Sequence, residues 1–90
     1  MRYVFDPGKD TVNREKHGVS LAVAEILFAG PHLSLPDDRF DYGEVRMVAF
    51  GLIEERLFVC VYRDRSDERR VISLRKANPR EVKRYGQELE

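Results

Sequence analysis

Tryptophan is absent from this chain of 90 residues, cysteine occurs once, histidine twice, and 16 Lys and Arg are cancelled by 16 Asp and Glu. Each shortage excludes something. A single thiol, Cys60, can form no intramolecular disulfide and fits a reducing compartment. His17 and His32 flank an expected helix without a partner cysteine, which is not a zinc spacing, so no metal and no cofactor is expected. There is no Gly-rich phosphate loop and no nucleophile elbow. The longest unbroken apolar run, Leu57 to Tyr62, is far too short to span a bilayer, and the N-terminus has no apolar run of signal-peptide length. A soluble, cytoplasmic protein without membrane association is predicted. Zero net charge also argues against a polycation that coats nucleic acid through bulk charge.

The charge that is present is unevenly placed. Residues 1–45 carry five basic and eight acidic side chains, and residues 46–90 carry eleven and eight. From Arg63 to Arg84 nine basic residues stand against Asp64, Asp67, Glu68 and Glu81. A neutral total conceals a basic C-terminal third, which points to a polyanionic partner.

The length makes one domain, 1–90, and 36% charged residues leave a small core under a charged shell. A brief N-terminal strand comes first. Asp6-Pro7 reads as an N-cap with proline at the first helical position, and Gly18 ends that helix after His17. Its composition is polar, with Val12 as the only large aliphatic residue, so one narrow face should dock. Ser20 caps a second helix with Leu21, Ala24, Leu27 and Phe28 on its apolar side, stopped by Gly30-Pro31. Leu33 and Leu35 suggest a short edge strand, followed by a polar loop to Gly43. Strands are then predicted over about residues 44–52, 56–63 and 69–75, joined by short polar links. Asn78-Pro79 opens a last helix through about Glu88, with Val82, Tyr85 and Leu89 on its apolar side. The fold class is α+β: an antiparallel three- to four-stranded sheet with two N-terminal helices and a C-terminal helix.

Period-two alternation puts Arg69, Val71, Ser73 and Arg75 on one face of the last strand, and Arg46 can join them if the register allows. Guanidinium groups converging on a sheet suit a phosphodiester and the added charge of its pentavalent transition state. RNA cleavage of this kind needs no metal, because the ribose 2′-hydroxyl is the nucleophile. Tyr62 and Tyr85 offer surfaces for base stacking. The bland alternative is a solvated arginine face that protects a sheet edge. Lys16 and His17 in the last turn of the first helix suit the helix dipole; the functional alternative makes His17 a general acid or base and Lys16 a phosphate contact. Glu44 either orients Arg46 or accepts a proton. Cys60, in the most apolar strand, reads as core.

These residues carry a family resemblance. Phe5-Asp6-Pro7 with Lys9 and Asn13, Lys16-His17-Gly18-Val19-Ser20, Glu44 with Arg46, Gly51, Val71-Ile72-Ser73-Leu74-Arg75-Lys76-Ala77, and Arg80-Glu81 with Tyr85 resemble the BrnT toxins over nearly the whole chain. Leu74 stands where the family often has alanine, and Leu21 to Ala24 is more apolar than the usual acidic start of that helix. The resemblance implies a RelE-like fold and a ribonuclease toxin of a type II toxin–antitoxin pair that inhibits translation by cleaving RNA. It implies a BrnA-like ribbon-helix-helix antitoxin as partner, with operator DNA reached only through that antitoxin. The expected catalytic residues are His17, Glu44, Arg46 and Arg75, and the expected RNA-binding residues are Lys16, Arg69, Lys76, Tyr62 and Tyr85. Two rival readings fit the same residues: a non-catalytic RNA-binding or regulatory module using the same face, and an interaction protein whose groove receives a partner helix.

Overall fold

Local signals decide where each element begins and ends. The computed structural model describes residues 1–38 and 43–89. Strand β1 (Arg2–Val4) leads into helix α1 (Pro7–His17). The Asp6 side chain accepts from the Lys9 amide at 3.2 Å, and Gly18, at φ 73°, donates back to the Arg14 carbonyl. Ser20 caps a 3-10 turn (Leu21–Val23) that runs into the short helix α2 (Ala24–Ala29). Strands β2 (His32–Pro36), β3 (Met47–Ile53), β4 (Arg56–Arg65) and β5 (Glu68–Lys76) follow, then helix α3 (Pro79–Tyr85) and a 3-10 turn (Gly86–Leu89). Asn78 and Glu81 close a reciprocal capping box at the start of α3. The polar loop expected before Gly43 lies largely outside the described residues. Among the described residues, no helix is long and apolar enough to cross a membrane.

The strands form one sheet in the order β1-β5-β4-β3-β2. The α+β class holds, but the sheet is five-stranded and mixed, where three or four antiparallel strands were expected. The difference is β1, which pairs parallel with β5, Arg2 opposite Glu68 and Val4 opposite Arg70. Three residues are too few to display a period, and nothing in their sequence states the direction of a partner so distant along the chain.

One face of the sheet is packed by α2 and the 3-10 turn before it. Leu21, Ala24, Leu27 and Phe28 meet Ala49, Phe58, Cys60, Tyr62, Val71 and Leu74 there. Burial pushes the Cys60 thiol up to about 12, as expected of a core residue. The approach is close enough that a Cβ on Gly51 would lie 2.7 Å from Leu27 Cγ, so only glycine fits there. The other face carries Phe50, Leu57, Val59 and Ala77, with Leu35, Val48, Leu52, Tyr85 and Leu89 packed around them. Helix α3 covers only part of this open face, stacking Tyr85 on Phe50 at 4.0 Å. Val82, expected on the packed side of α3, is instead 47% exposed.

Helix α1 docks by one narrow face, which is polar and excludes its only large aliphatic residue; Val12 is exposed, while Asp10 and Asn13 are buried. Where β1 ends, the edge of β5 opens and Asn13 takes the place of a strand neighbour. Its Nδ2 donates to the Leu74 carbonyl at 2.9 Å and its Oδ1 accepts from the Leu74 amide at 3.1 Å. Asp10 accepts from the Ser20 hydroxyl and the Leu21 amide, tying α1 to the start of the next helical turn.

Candidate functional site

The β4–β5 ladder skips a residue: Val61 faces Ser73, Tyr62 faces Val71, and Ile72 is the extra one. Val71 and Leu74, an odd number of residues apart, therefore both enter the helix-side core. Arg69 and Arg75, six apart, fall on opposite faces. This corrects the expectation that they share one. Arg69 lies on the helix side, its guanidinium carbon 4.4 Å from the ring centres of both Phe28 and Tyr62. Both its Nε and a terminal nitrogen donate to Asp64, which raises its pKa further above its ordinary value. Tyr62 is 3% exposed and donates its hydroxyl to Ser34. With its ring inside the core, it presents no flat surface to a base. Lys76, paired opposite the core residue Phe58, is exposed at the end of β5 on the face opposite Arg75.

The open face holds two polar clusters. The first lies where α1 meets β5 and α3. Arg75 donates from both terminal nitrogens to Glu81, at 2.8 and 2.9 Å, and Glu81 is held in turn by the Asn78 amide. Arg75, Ser73, Glu81, Asp37, Phe50 and Tyr85 line a groove of about 290 Å³. Ser73 also borders a neighbouring cavity of about 330 Å³ between α1 and β5, lined by Lys9, Lys16, His17 and Ile72. His17 is half-buried and its pKa is lowered, first by burial and then by the positive charges of Lys16 and Arg75. The imidazole is therefore neutral at neutral pH, with a ring nitrogen able to take a proton.

The second cluster is Glu44, Arg46 and Arg63. Glu44 accepts from Arg46 Nε at 3.1 Å and forms an ion pair with Arg63. The hydrogen bond from Arg46, joined by that from Arg63, outweighs burial and holds the Glu44 carboxyl below its ordinary value. Arg63 stands directly opposite Arg70 in the ladder. Arg46 and Arg75 share the open face, yet Val59, the partner of Arg75, is four residues from Arg63 along β4, roughly 13 Å. The convergence expected of Arg46 and Arg75 is thus a separation into two clusters. Tyr85 lines the groove with one ring face on Phe50. Arg63, Arg70, Lys9 and Ser73 are site-facing residues to which composition and motif reading assigned no role, although Lys9 stands in the family motif and Ser73 beside Arg75 on the expected face. The alternation of Val59, Val61 and Arg63 on β4 was the signal available for Arg63. Among the described residues no group of three or more His, Cys, Asp or Glu could hold a metal ion.

No curated protein matches the chain. The family described as "Ribonuclease toxin, BrnT, of type II toxin-antitoxin system" matches over residues 5–81, which takes in α1, α2, strands β2 to β5 and the start of α3. A match over that much of a chain of 90 residues settles the kinship: this protein belongs to the BrnT family of ribonuclease toxins.

Proposed function

We propose that the chain is a metal-independent endoribonuclease whose reacting phosphate sits between His17, Ser73 and Arg75. The observation that carries this reading is a half-buried histidine of lowered pKa sharing a cavity with Ser73, within electrostatic reach of Arg75. His17 takes the proton of the ribose 2′-hydroxyl. The O2′–P bond forms, the P–O5′ bond breaks, and solvent returns a proton to the departing 5′ oxygen. Products are a 2′,3′-cyclic phosphate and a 5′-hydroxyl. Arg75 stabilises the charge gathering on the phosphoryl oxygens, and Lys16 holds the flanking backbone, while Lys76, turned to the other face of β5, makes no contact there. Glu44, saturated by two guanidinium groups, orients Arg46 and Arg63 and is poorly suited to accept a proton. Tyr85, at the groove wall, is the stacking platform.

In the cell this activity would inhibit translation in the cytoplasm. A BrnA-like ribbon-helix-helix antitoxin would neutralise it and carry the pair to operator DNA. One observation favours the non-catalytic alternative: Glu81 engages both terminal nitrogens of Arg75, as in a purely structural ion pair.

Incubation of antitoxin-free protein with RNA in excess EDTA separates the readings. Cyclic-phosphate termini, lost on 2′-deoxy substitution at the cut site and in His17→Ala and Arg75→Ala, are expected. Intact RNA from a preparation that arrests growth, or cleavage abolished by EDTA, overturns the proposal.

A further inference from the structure

The basic groups left over from the first cluster are arranged as a path. The cavity between α1 and β5 shares Asp6, Lys9 and Ile72 with a second, of about 290 Å³, that Arg63 and Arg70 complete. That second cavity shares both arginines with a third, smaller one bordered by Arg65 and Glu68. Ser73 joins the first to the groove of Arg75. Four depressions thus run end to end along β5.

Their charge is unusual for a sheet. Arg63 and Arg70 are direct cross-strand partners on one face, a like-charge pairing that destabilises a ladder unless an anion lies between. Glu44 takes up a terminal nitrogen of Arg63, while Arg63 Nε is buried without a hydrogen-bond partner among the described residues. Neither Lys9 nor Arg70 has an ion pair among the described residues. Asp6, the one carboxylate of the second cavity, is engaged as the α1 cap, accepting from the Lys9 amide. Glu68, at the far end, pairs with Arg2.

We propose that this track binds the sugar-phosphate backbone of single-stranded RNA on one side of the cleaved bond, with Lys9, Arg63 and Arg70 as its phosphate contacts. The proposal rests on the ribonuclease reading for the position of the cleaved bond, and extends it to the form of the substrate. From Arg70 to Arg75 β5 covers roughly 16 Å, room for a few nucleotides but far less than the two successive grooves that a duplex reader spans. Beyond the cavity of His17 no aromatic ring among the described residues lines the track, so its grip there is electrostatic and indifferent to base identity.

The test uses a fluorescent single strand of about 12 nucleotides, a length within the range that single-strand binders cover, 2′-deoxy throughout so that it cannot be cut. Binding is followed by anisotropy as salt is varied. Lys9→Gln with Arg70→Gln should weaken binding about tenfold near 0.15 M salt and flatten the log–log salt slope by about 1.4, the loss of two single-strand phosphate contacts. Arg56→Gln with Lys83→Gln removes the same net charge away from the track and should leave affinity within about twofold. Equal losses in both double variants, no loss in the first, or no binding by the unaltered protein overturns the track. So does weakened antitoxin capture with unchanged strand binding, which would assign these cations to the protein partner. If RNA stays intact while the track variants weaken strand binding, the ribonuclease reading fails and the track stands. If RNA is cut and those variants bind as the unaltered protein does, the reverse holds.

Discussion

Replacing Asn13 tests how the fold holds its proposed base. The side chain is 4% exposed and makes three hydrogen bonds, two to the Leu74 backbone and one to the Val19 carbonyl, all between 2.9 and 3.1 Å. Asn13→Ala removes all three and strands the amide and carbonyl of a residue whose side chain is fully buried. Bonds worth about 0.5–1.5 kcal/mol each, with the added penalty of unsatisfied buried groups, put the loss at roughly 3–5 kcal/mol. A domain of this length has on the order of 5–14 kcal/mol in all, so a large share of the stability is at stake. Urea unfolding should show a lower midpoint with an unchanged slope, and the Leu74 amide should lose hydrogen-exchange protection. Asn13→Asp is the sharper variant: one oxygen can still accept from the Leu74 amide, but nothing remains to donate to the two carbonyls. It should therefore fall by a similar amount. A loss below about 1 kcal/mol in Asn13→Ala, or an aspartate variant as stable as the parent, would refute the view that this amide substitutes for a strand. His17 lies one turn further along α1, so the same variants should also lose cleavage at temperatures where they remain folded.

Three other perturbations follow from named groups. Arg75→Gln removes one of the charges that lower the His17 pKa, so an NMR titration of the imidazole should move up toward 6.5; no movement would place Arg75 away from His17. Asp10 is held below its ordinary 3.8, first by the Leu21 amide, then by Ser20 and Arg14. The unfolded chain therefore takes up that proton more readily, and the stabilisation present above pH 3.8 is lost as pH falls through the lower folded value. Asp10→Asn should flatten the acid limb of melting temperature against pH, and an unchanged limb would contradict the assignment. Glu54 and Glu55 form the β3–β4 turn with φ of 50° and 67°, a backbone that suits Asn-Gly, so that replacement should stabilise the protein by roughly 1–2 kcal/mol in urea unfolding.

Most element boundaries were legible because single residues write them. Asp6, Gly18, Ser20, Gly30 and Asn78 each supply a cap or stop whose chemistry is local, and the structure places helix ends where those residues stand. Partnerships were less legible. The pairing of β1 with β5 depends on groups at the two ends of the chain, and α1 docks through Asp10 and Asn13, which an apolar-periodicity reading counts as surface. The site was half legible for the same reason. His17, Lys16, Glu44, Arg46 and Arg75 do fall on or beside one face, but Arg69 was assigned by an alternation that the ladder interrupts, and Tyr62 was offered for its ring although it shares its face of β4 with the core residues Phe58 and Cys60.

That interruption explains both the error and the site. Without Ile72 the ladder would run evenly from Tyr62–Val71 to Val61–Ser73, and Val71, Leu74 and Arg75 would keep the faces they now have. The extra residue is therefore not what buries the core or turns Arg75 outward. It is an added side chain on the flank of β5 that faces α1, where Ile72 and Ser73 together wall the cavity holding Lys9, Lys16 and His17. A bulge also sharpens the local twist of a strand, and here it falls where β1 has ended and Asn13 has taken over the edge. The place where β5 changes neighbours, from a strand to a helix, is thus the place where the sheet opens a polar cavity. A period-two reading is bound to fail at such a point, because the residue that breaks the period is the one that makes the room.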